Sequence, residues 1–448
     1  MKIAVIGAGI AGLSCAYKLS QDGCQVTLFE AGQYFGGHSH TVDVSLDGIT
    51  AGVDTGFLVF NHRTYPNLVK LFDELQVETA ASDMTFSVKL PIPGWFGNRM
   101  LEWAGGDLDA VFTQRRNVLD PRFLRMLRDI LRFNRQATAI ATDAESGTAG
   151  QMLSLGEFLQ MHSYSEQFKN WYLLPMAGCI WSCPTAQMLA FPLTTFARFC
   201  HNHGLLQVND RPQWRTVKGG SRTYVQKLLA AIDDKRLATP VTAVSRGMHR
   251  GAAVVNVTTQ YGTSQFDHVV MASHSDQNLA MLNDATAEER NCLSAIRYQG
   301  NRAVLHTDSR CLPSNKKAWS AWNYQSSLSH HPSEKIGDRQ QAQVCVHYLI
   351  NQLQPLPFQS PVIVSLNPIE EPNFACVIDE FDYAHPVFDG AAIAAQQRLP
   401  SIQGVQNTWF AGAWTGYGFH EDGLKSGLAV AQAISQIVGQ KQESRFAA

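Results

Sequence analysis

The feature that most constrains this chain is the run Gly7-Ala8-Gly9-Ile10-Ala11-Gly12, set between an apolar stretch at 2–6 and a helix-forming segment at 10–21. The first glycine permits a tight turn, the second lets backbone approach a pyrophosphate, and the third lets helix and strand pack closely. Amides at the helix start then face the phosphates, and the helix dipole favours their charge. A second strand, 24–29, ends at Glu30, followed by Ala31, where a carboxylate can accept hydrogen bonds from an adenosine ribose. Strand, turn, helix and acid in this order predict a dinucleotide-binding α/β unit, against the alternative of a glycine-rich turn with no ligand.

One such fingerprint does not separate FAD from NAD. Three further strings favour FAD. Gly36-Gly37-His38 offers a second glycine turn to track the pyrophosphate, and Asp54-Thr55-Gly56-Phe57 supplies a small residue where a flat ring could approach backbone. The C-terminal segment Phe410-Ala411-Gly412-Ala413-Trp414 reads as a strand at 408–411 and a glycine-rich turn. A helix over 423–438, opening at Gly423-Leu424, follows.

At 448 residues the chain is long for one core, so two domains are expected. Helices are predicted over 64–76, 121–136 and 152–176, strands over 241–244, 253–258, 267–272, 299–306, 343–353 and 361–366, and surface loops over 137–150 and 325–342. Nine scattered cysteines without a CxxC fit a reducing compartment, the cytoplasm by default, and predict neither a disulfide framework nor a metal site. A formal charge of −2 gives no reason to expect nucleic acid.

Over nearly its whole length the chain resembles the flavin-containing amine oxidase and phytoene desaturase superfamily. The resemblance rests on the fingerprint at 7–12, Glu30, Lys218-Gly219-Gly220-Ser221 and the C-terminal strand–turn–helix. It implies an α/β, Rossmann-type FAD-binding domain assembled from discontinuous segments 1–60, 210–275 and 400–440. An α+β substrate domain from 61–209 and 276–399 would complete an amine-oxidase-like two-domain fold. It also implies FAD contacts at Gly7, Gly9, Ile10, Ala11, Gly12, Glu30, Ala31, Gly37, His38, Thr55, Gly56, Phe57, Val241, Gly412, Ala413, Gly423 and Leu424. More narrowly, Asp54–Asn61, Leu305-His306-Thr307-Asp308, Trp319-Ser320-Ala321-Trp322-Asn323-Tyr324 and Gly418-Phe419-His420-Glu421-Asp422-Gly423 resemble a bacterial flavoprotein group associated with cyclopropane-fatty-acid-synthase-like enzymes.

The implied reaction removes two electrons, as hydride to flavin N5, from a hydrophobic substrate. An unsaturated or modified fatty acyl chain undergoing dehydrogenation or desaturation is the leading expectation. A flavin amine oxidase is the nearest rival, but 299–306 carries no lysine where many amine oxidases place one. A redox-neutral flavin isomerase and a non-catalytic partner of a lipid-modifying enzyme are the other two readings. His420 and Glu421 are the catalytic candidates. A histidine near its ordinary pKa of about 6.5 exchanges protons at neutrality, whereas the bland reading has it packing or hydrogen-bonding against the flavin.

Segment 115–135 carries Arg115, Arg116, Arg122, Arg125, Arg128, Arg132 and Arg135, with Trp95, Phe96 and Trp103 upstream. It reads either as the solvated face of an ordinary substrate-domain helix or as a peripheral contact with the inner face of an anionic membrane.

Overall fold

The computed structural model describes residues 1–94, 97–145, 153–181, 188–207, 211–326 and 345–446. Lys2–Ile6 is buried from Ile3 onward, as a strand covered on both faces must be. It lies at the centre of a five-stranded parallel sheet ordered Asp234–Arg236, Gln25–Phe29, Lys2–Ile6, His268–Met271, Thr408–Phe410. Strands separated by hundreds of residues are therefore neighbours, with Ile6 opposite Met271 and Met271 opposite Phe410. An antiparallel three-stranded sheet, Val241–His249, Ala252–Thr259 and Gly262–Phe266, lies between two of its strands in sequence.

Helix Ile10–Gln21 is buried along most of its length. Sheet covers one side, and the C-terminal helix His420–Phe446 covers another. Their approach depends on missing side chains: a Cβ on Gly427 would overlap the Ala11 carbonyl oxygen, and one on Gly423 would lie 2.9 Å from Ile10 Cγ2.

A seven-stranded sheet forms the second half, ordered Val377–Val387, Arg297–His306, Ile363–Leu366, Cys345–Leu349, Trp322–Gln325, Phe86–Gly94, Gly97–Ala104. A helical layer of Pro121–Glu145, Leu155–Met161, Leu174–Trp181 and Leu193–Asn202 has its own core around Phe133, Phe168 and Phe196. The halves are joined at Asp54. Its buried carboxylate accepts hydrogen bonds from Thr41 Oγ1 (2.6 Å), Ser221 N (2.8 Å), Ser221 Oγ (2.8 Å) and Gln354 Nε2 (2.9 Å). Asp54 N–H donates to Gln354 Oε1 at 2.9 Å. The glycine–glycine–serine turn at 219–221 and the end of the short helix Ile350–Leu353, which leaves the large sheet, thus meet on one side chain.

Several sequence expectations are corrected. The stretch 137–145 is helical, because Ala137 and Ala141 pack into the helical core and extend Pro121–Glu145; residues 146–150 lie outside the described set. The single helix expected over 152–176 is interrupted at 162–165, where Ser163 adopts φ 51° and Ser154 and Ser165 cap separate helices. The strand expected over 343–353 spans Cys345–Leu349 and gives way to a short helix, Ile350–Leu353. Of 325–342, Gln325 ends a strand and the residues from 327 lie outside the described set, as do Trp95 and Phe96. Trp103 is 2% exposed and packs edge-on against Phe123, so it belongs to the core rather than to a surface.

Gly427→Ala is expected to lower the unfolding free energy by about 1–3 kcal/mol. Gly439→Ala, whose Cβ meets nothing within 4 Å, should be neutral or stabilising in urea titrations. Acid sensitivity has a specific source. Buried His306 and His347 each lie 2.6 Å from Ser365 Oγ, and burial lowers their pKa values to about 4 and about 3. Each stays neutral in the fold but protonates near 6.5 when unfolded, so its contribution is intact above pH 6.5 and is lost as pH falls towards 4. Stability should fall by about 2 kcal/mol per histidine between pH 7 and pH 5. His347→Gln should flatten that slope in unfolding measured at both pH values.

Candidate active site

Both halves of the fold contribute to a cavity of about 740 Å³. On its nucleotide-like wall, Glu30 Oε2 accepts from Ala8 N and Oε1 from Gly32 N, both at 2.8 Å. The carboxylate is thereby fixed beside the first glycine turn with lone pairs to spare. Gly7 holds φ 100° against Ala272, and a Cβ on Gly12 would overlap the Gly7 carbonyl. A Cβ on Gly9 would meet nothing within 4 Å, so the second glycine keeps its approach open. The second turn docks directly on the first: Gly36 N–H donates to Ala8 O at 2.9 Å, and a Cβ on Gly37 would lie 3.1 Å from Gly9 Cα. Phe57 N–H donates to His38 O at 2.7 Å, bringing the 54–57 turn alongside.

The remaining wall is aromatic. Trp181, Phe199, Phe419 and Trp214 line it with His203, whose ring stacks on Phe199 at 3.9 Å. His203 Nδ1 lies 2.9 Å from the Phe199 carbonyl oxygen. A carbonyl only accepts, so Nδ1 carries the proton and Nε2 remains an acceptor. Among the described residues the lining holds no lysine or arginine, and Glu30 is its one carboxylate. Its five histidines are 38, 203, 274, 385 and 420, and burial depresses the pKa of each, to about 4 at His203 and His385 and about 3 at His420. The wall is electrically neutral apart from Glu30. Three buried polar atoms on lining residues have no protein partner: His38 Nε2, Trp181 Nε1 and Trp322 Nε1.

The pattern of the flavin containing amine oxidoreductase family matches residues 10–361. The chain belongs to that family. A Mycobacterium tuberculosis protein named as a flavin-containing monoamine oxidase, AofH, is 25% identical over 279 residues, 60% of this chain and 56% of that protein. The match thus spans little more than half the length of this curated relative. Solved structures show the same fold. A fatty acid isomerase from P. acnes that produces CLA aligns with TM-score 0.63 and 16% identity, covering 97% of this chain and 98% of that one. Cyclohexylamine oxidase from Brevibacterium oxydans aligns with TM-score 0.65 and 15% identity, covering 98% and 99%.

FAD is the cofactor of this family member, and the residues present fit it. The open approach at Gly9, the doubled glycine turns, the ribose-type acid and the unpartnered His38 Nε2 are features of a nucleotide cradle. Gly7, Gly9, Ile10, Ala11, Glu30, Ala31, Gly37, His38, Thr55, Gly56, Phe57, Val241, Gly412, Ala413 and His420 all line the cavity.

Four sequence candidates do not. Gly12 serves helix packing. The last helix starts at His420, three residues before the expected Gly423, so Gly423 N–H is spent on Phe419 O at 3.1 Å and its Cα faces Ile10. Leu424 is fully buried in the core. Glu421 is corrected from acid–base candidate to helix cap: its oxygens accept from Asn67 N (2.8 Å), Asn67 Nδ2 (2.7 Å) and Leu68 N (3.0 Å) at the start of Pro66–Glu74. His420 does reach the cavity, stacked on Phe57 at 3.8 Å with Nε2 2.8 Å from Tyr224 OH. Burial lowers its pKa to about 3, so the imidazole is neutral at pH 7.

Residues missed by sequence reading include Tyr224, His203, Trp181, Trp322 and Tyr383, whose OH lies 2.7 Å from Thr55 Oγ1. They come from separate segments; Trp322 alone falls in a string singled out by resemblance, Trp319–Tyr324, and that string gave no hint of a cavity. Glu30→Ala is expected to weaken FAD binding by about 10–100-fold, the cost of a charge-assisted hydrogen bond. Titrating apoprotein with FAD and following fluorescence quenching would measure it.

Proposed function

We propose that this protein is an FAD-dependent oxidoreductase that removes two electrons from an uncharged, hydrophobic substrate, a fatty acyl chain in the leading form of the reading. One observation carries it: the cavity wall offers aromatic surface and neutral imidazoles, with no fixed charge except Glu30. A cationic amine or ionised carboxylate entering this wall would lose its hydration without a compensating ion, whereas an acyl chain gains from burial. Glu30 stands beside the first glycine turn, held there by the Ala8 and Gly32 amides, on the nucleotide-like wall.

FAD, when bound, supplies the two-electron chemistry. The chain's own residues confine and orient. Trp181, Phe199 and Phe419 exclude water, His203 Nε2 accepts a hydrogen bond, and the indole N–H groups of Trp181 and Trp322 can donate to a carbonyl oxygen. His420, tied to Tyr224 and Phe57, fixes the start of the last helix against the cavity. The strand Arg297–His306 carries no lysine, which favours carbon–carbon over amine oxidation. The likeness in fold to a fatty acid isomerase is consistent with an acyl substrate but shows the fold alone.

In this reading segments 1–60, 210–275 and 400–440 form the FAD domain and 61–209 with 276–399 the substrate domain. The protein works in the cytoplasm beside a lipid-modifying enzyme, with peripheral membrane contact through 115–135. Among the described residues no helix is long and apolar enough to cross a membrane.

Mixing oxidised holoenzyme anaerobically with unsaturated and cyclopropane acyl esters, and separately with aromatic amines and polyamines, tests the reaction. Flavin absorbance should bleach with an acyl substrate and persist with amines. Bleaching by an amine alone would replace this reading with the amine oxidase. Double-bond migration by pre-reduced enzyme without oxygen uptake would make it an isomerase.

A further inference from the structure

The arginines of Pro121–Glu145 fall into two sets. Arg122 pairs with Asp120 at 3.0 Å and lies over the Trp171 ring, and Arg132 pairs with Asp129 at 3.3 Å and lies over Tyr164. Those two are spent on the protein. Arg125, Arg128 and Arg135 occupy the exposed face, and among the described residues no carboxylate pairs with them. Leu124 (45% exposed) and Leu131 (54%) share that face. Leu119, just before the helix, is 87% exposed beside Val118.

We infer that this face is a docking surface for an anionic lipid bilayer. Leucines standing in water among unpaired arginines are unfavourable on a solvated helix face. Against phospholipid the leucines enter the headgroup boundary while the guanidinium groups meet phosphate in bidentate geometry. A second copy of the chain is a poorer occupant, because a two-fold contact would oppose Arg125, Arg128 and Arg135 to their own kind. The inference narrows the membrane contact in the proposed function to one helix face and rests on that reading only for the existence of such contact, since vesicle binding requires no turnover.

The test is co-sedimentation of FAD-loaded full-length protein with phosphatidylcholine vesicles, with and without phosphatidylglycerol, at about 50 mM and about 500 mM salt. Binding should require phosphatidylglycerol and weaken with salt. Arg125→Glu with Arg128→Glu should reduce it at least about tenfold. Leu119→Ser with Leu131→Ser should remove the binding that survives high salt. Both variants should keep wild-type flavin absorbance, which separates lost docking from lost folding. Equal binding to both vesicle types, or unchanged binding by the arginine variant, would overturn the inference. So would absence of vesicle binding with a solution dimer that those substitutions abolish. Vesicle binding without bleaching by any acyl lipid would defeat the proposed reaction and leave this surface standing.

Discussion

The crossing of the first and last helices organises the molecule. Gly427 meets the Ala11 carbonyl and Gly423 meets Ile10, so the start of His420–Phe446 is pressed against the start of Ile10–Gln21. No side chain larger than hydrogen fits at Gly427. Two positive helix ends, separated by most of the chain, therefore converge on one cavity. Without that approach the turn at 412–413 and the turn at 7–9 would not share a wall.

Asp54 gives the second constraint. A buried carboxylate with donors from Thr41, Ser221 and Gln354 is fully engaged, and removing it would strand several buried donors. It explains why an acid precedes Thr55-Gly56-Phe57: the carboxylate holds the turn while Thr55, Gly56 and Phe57 face the cavity. The glycine-rich and aromatic walls of the cavity thus draw on widely separated segments that meet on a few polar links.

What the sequence made legible follows from locality. The strand–glycine–helix–acid unit is contiguous, and its residues sit where the motif physics requires. The parallel sheet also follows from short buried apolar runs. The start of the last helix is less legible, because the glycine pair at 423 and 427 draws the eye past the residue that caps it, Asp422. It accepts from Tyr417 N and Phe419 N at 3.0 Å and lets the helix begin at His420. The role of Glu421 leaves no local trace either, since its partners at Asn67 and Leu68 are more than three hundred residues away. The aromatic chamber is harder to read: Trp181, His203 and Trp322 come from distant segments and meet only through folding.

The helix leading to the chamber contains one π turn, Lys169–Leu173, followed by Leu174–Trp181. Such a turn holds one residue more than an α turn, rotating everything after it by about 100°. Cys179, Ile180 and Trp181 owe their place on the cavity wall to that phase. A homologue that lacks this turn, aligned here without a gap, would have its chamber residues assigned to the wrong side of the helix, displaced by one position.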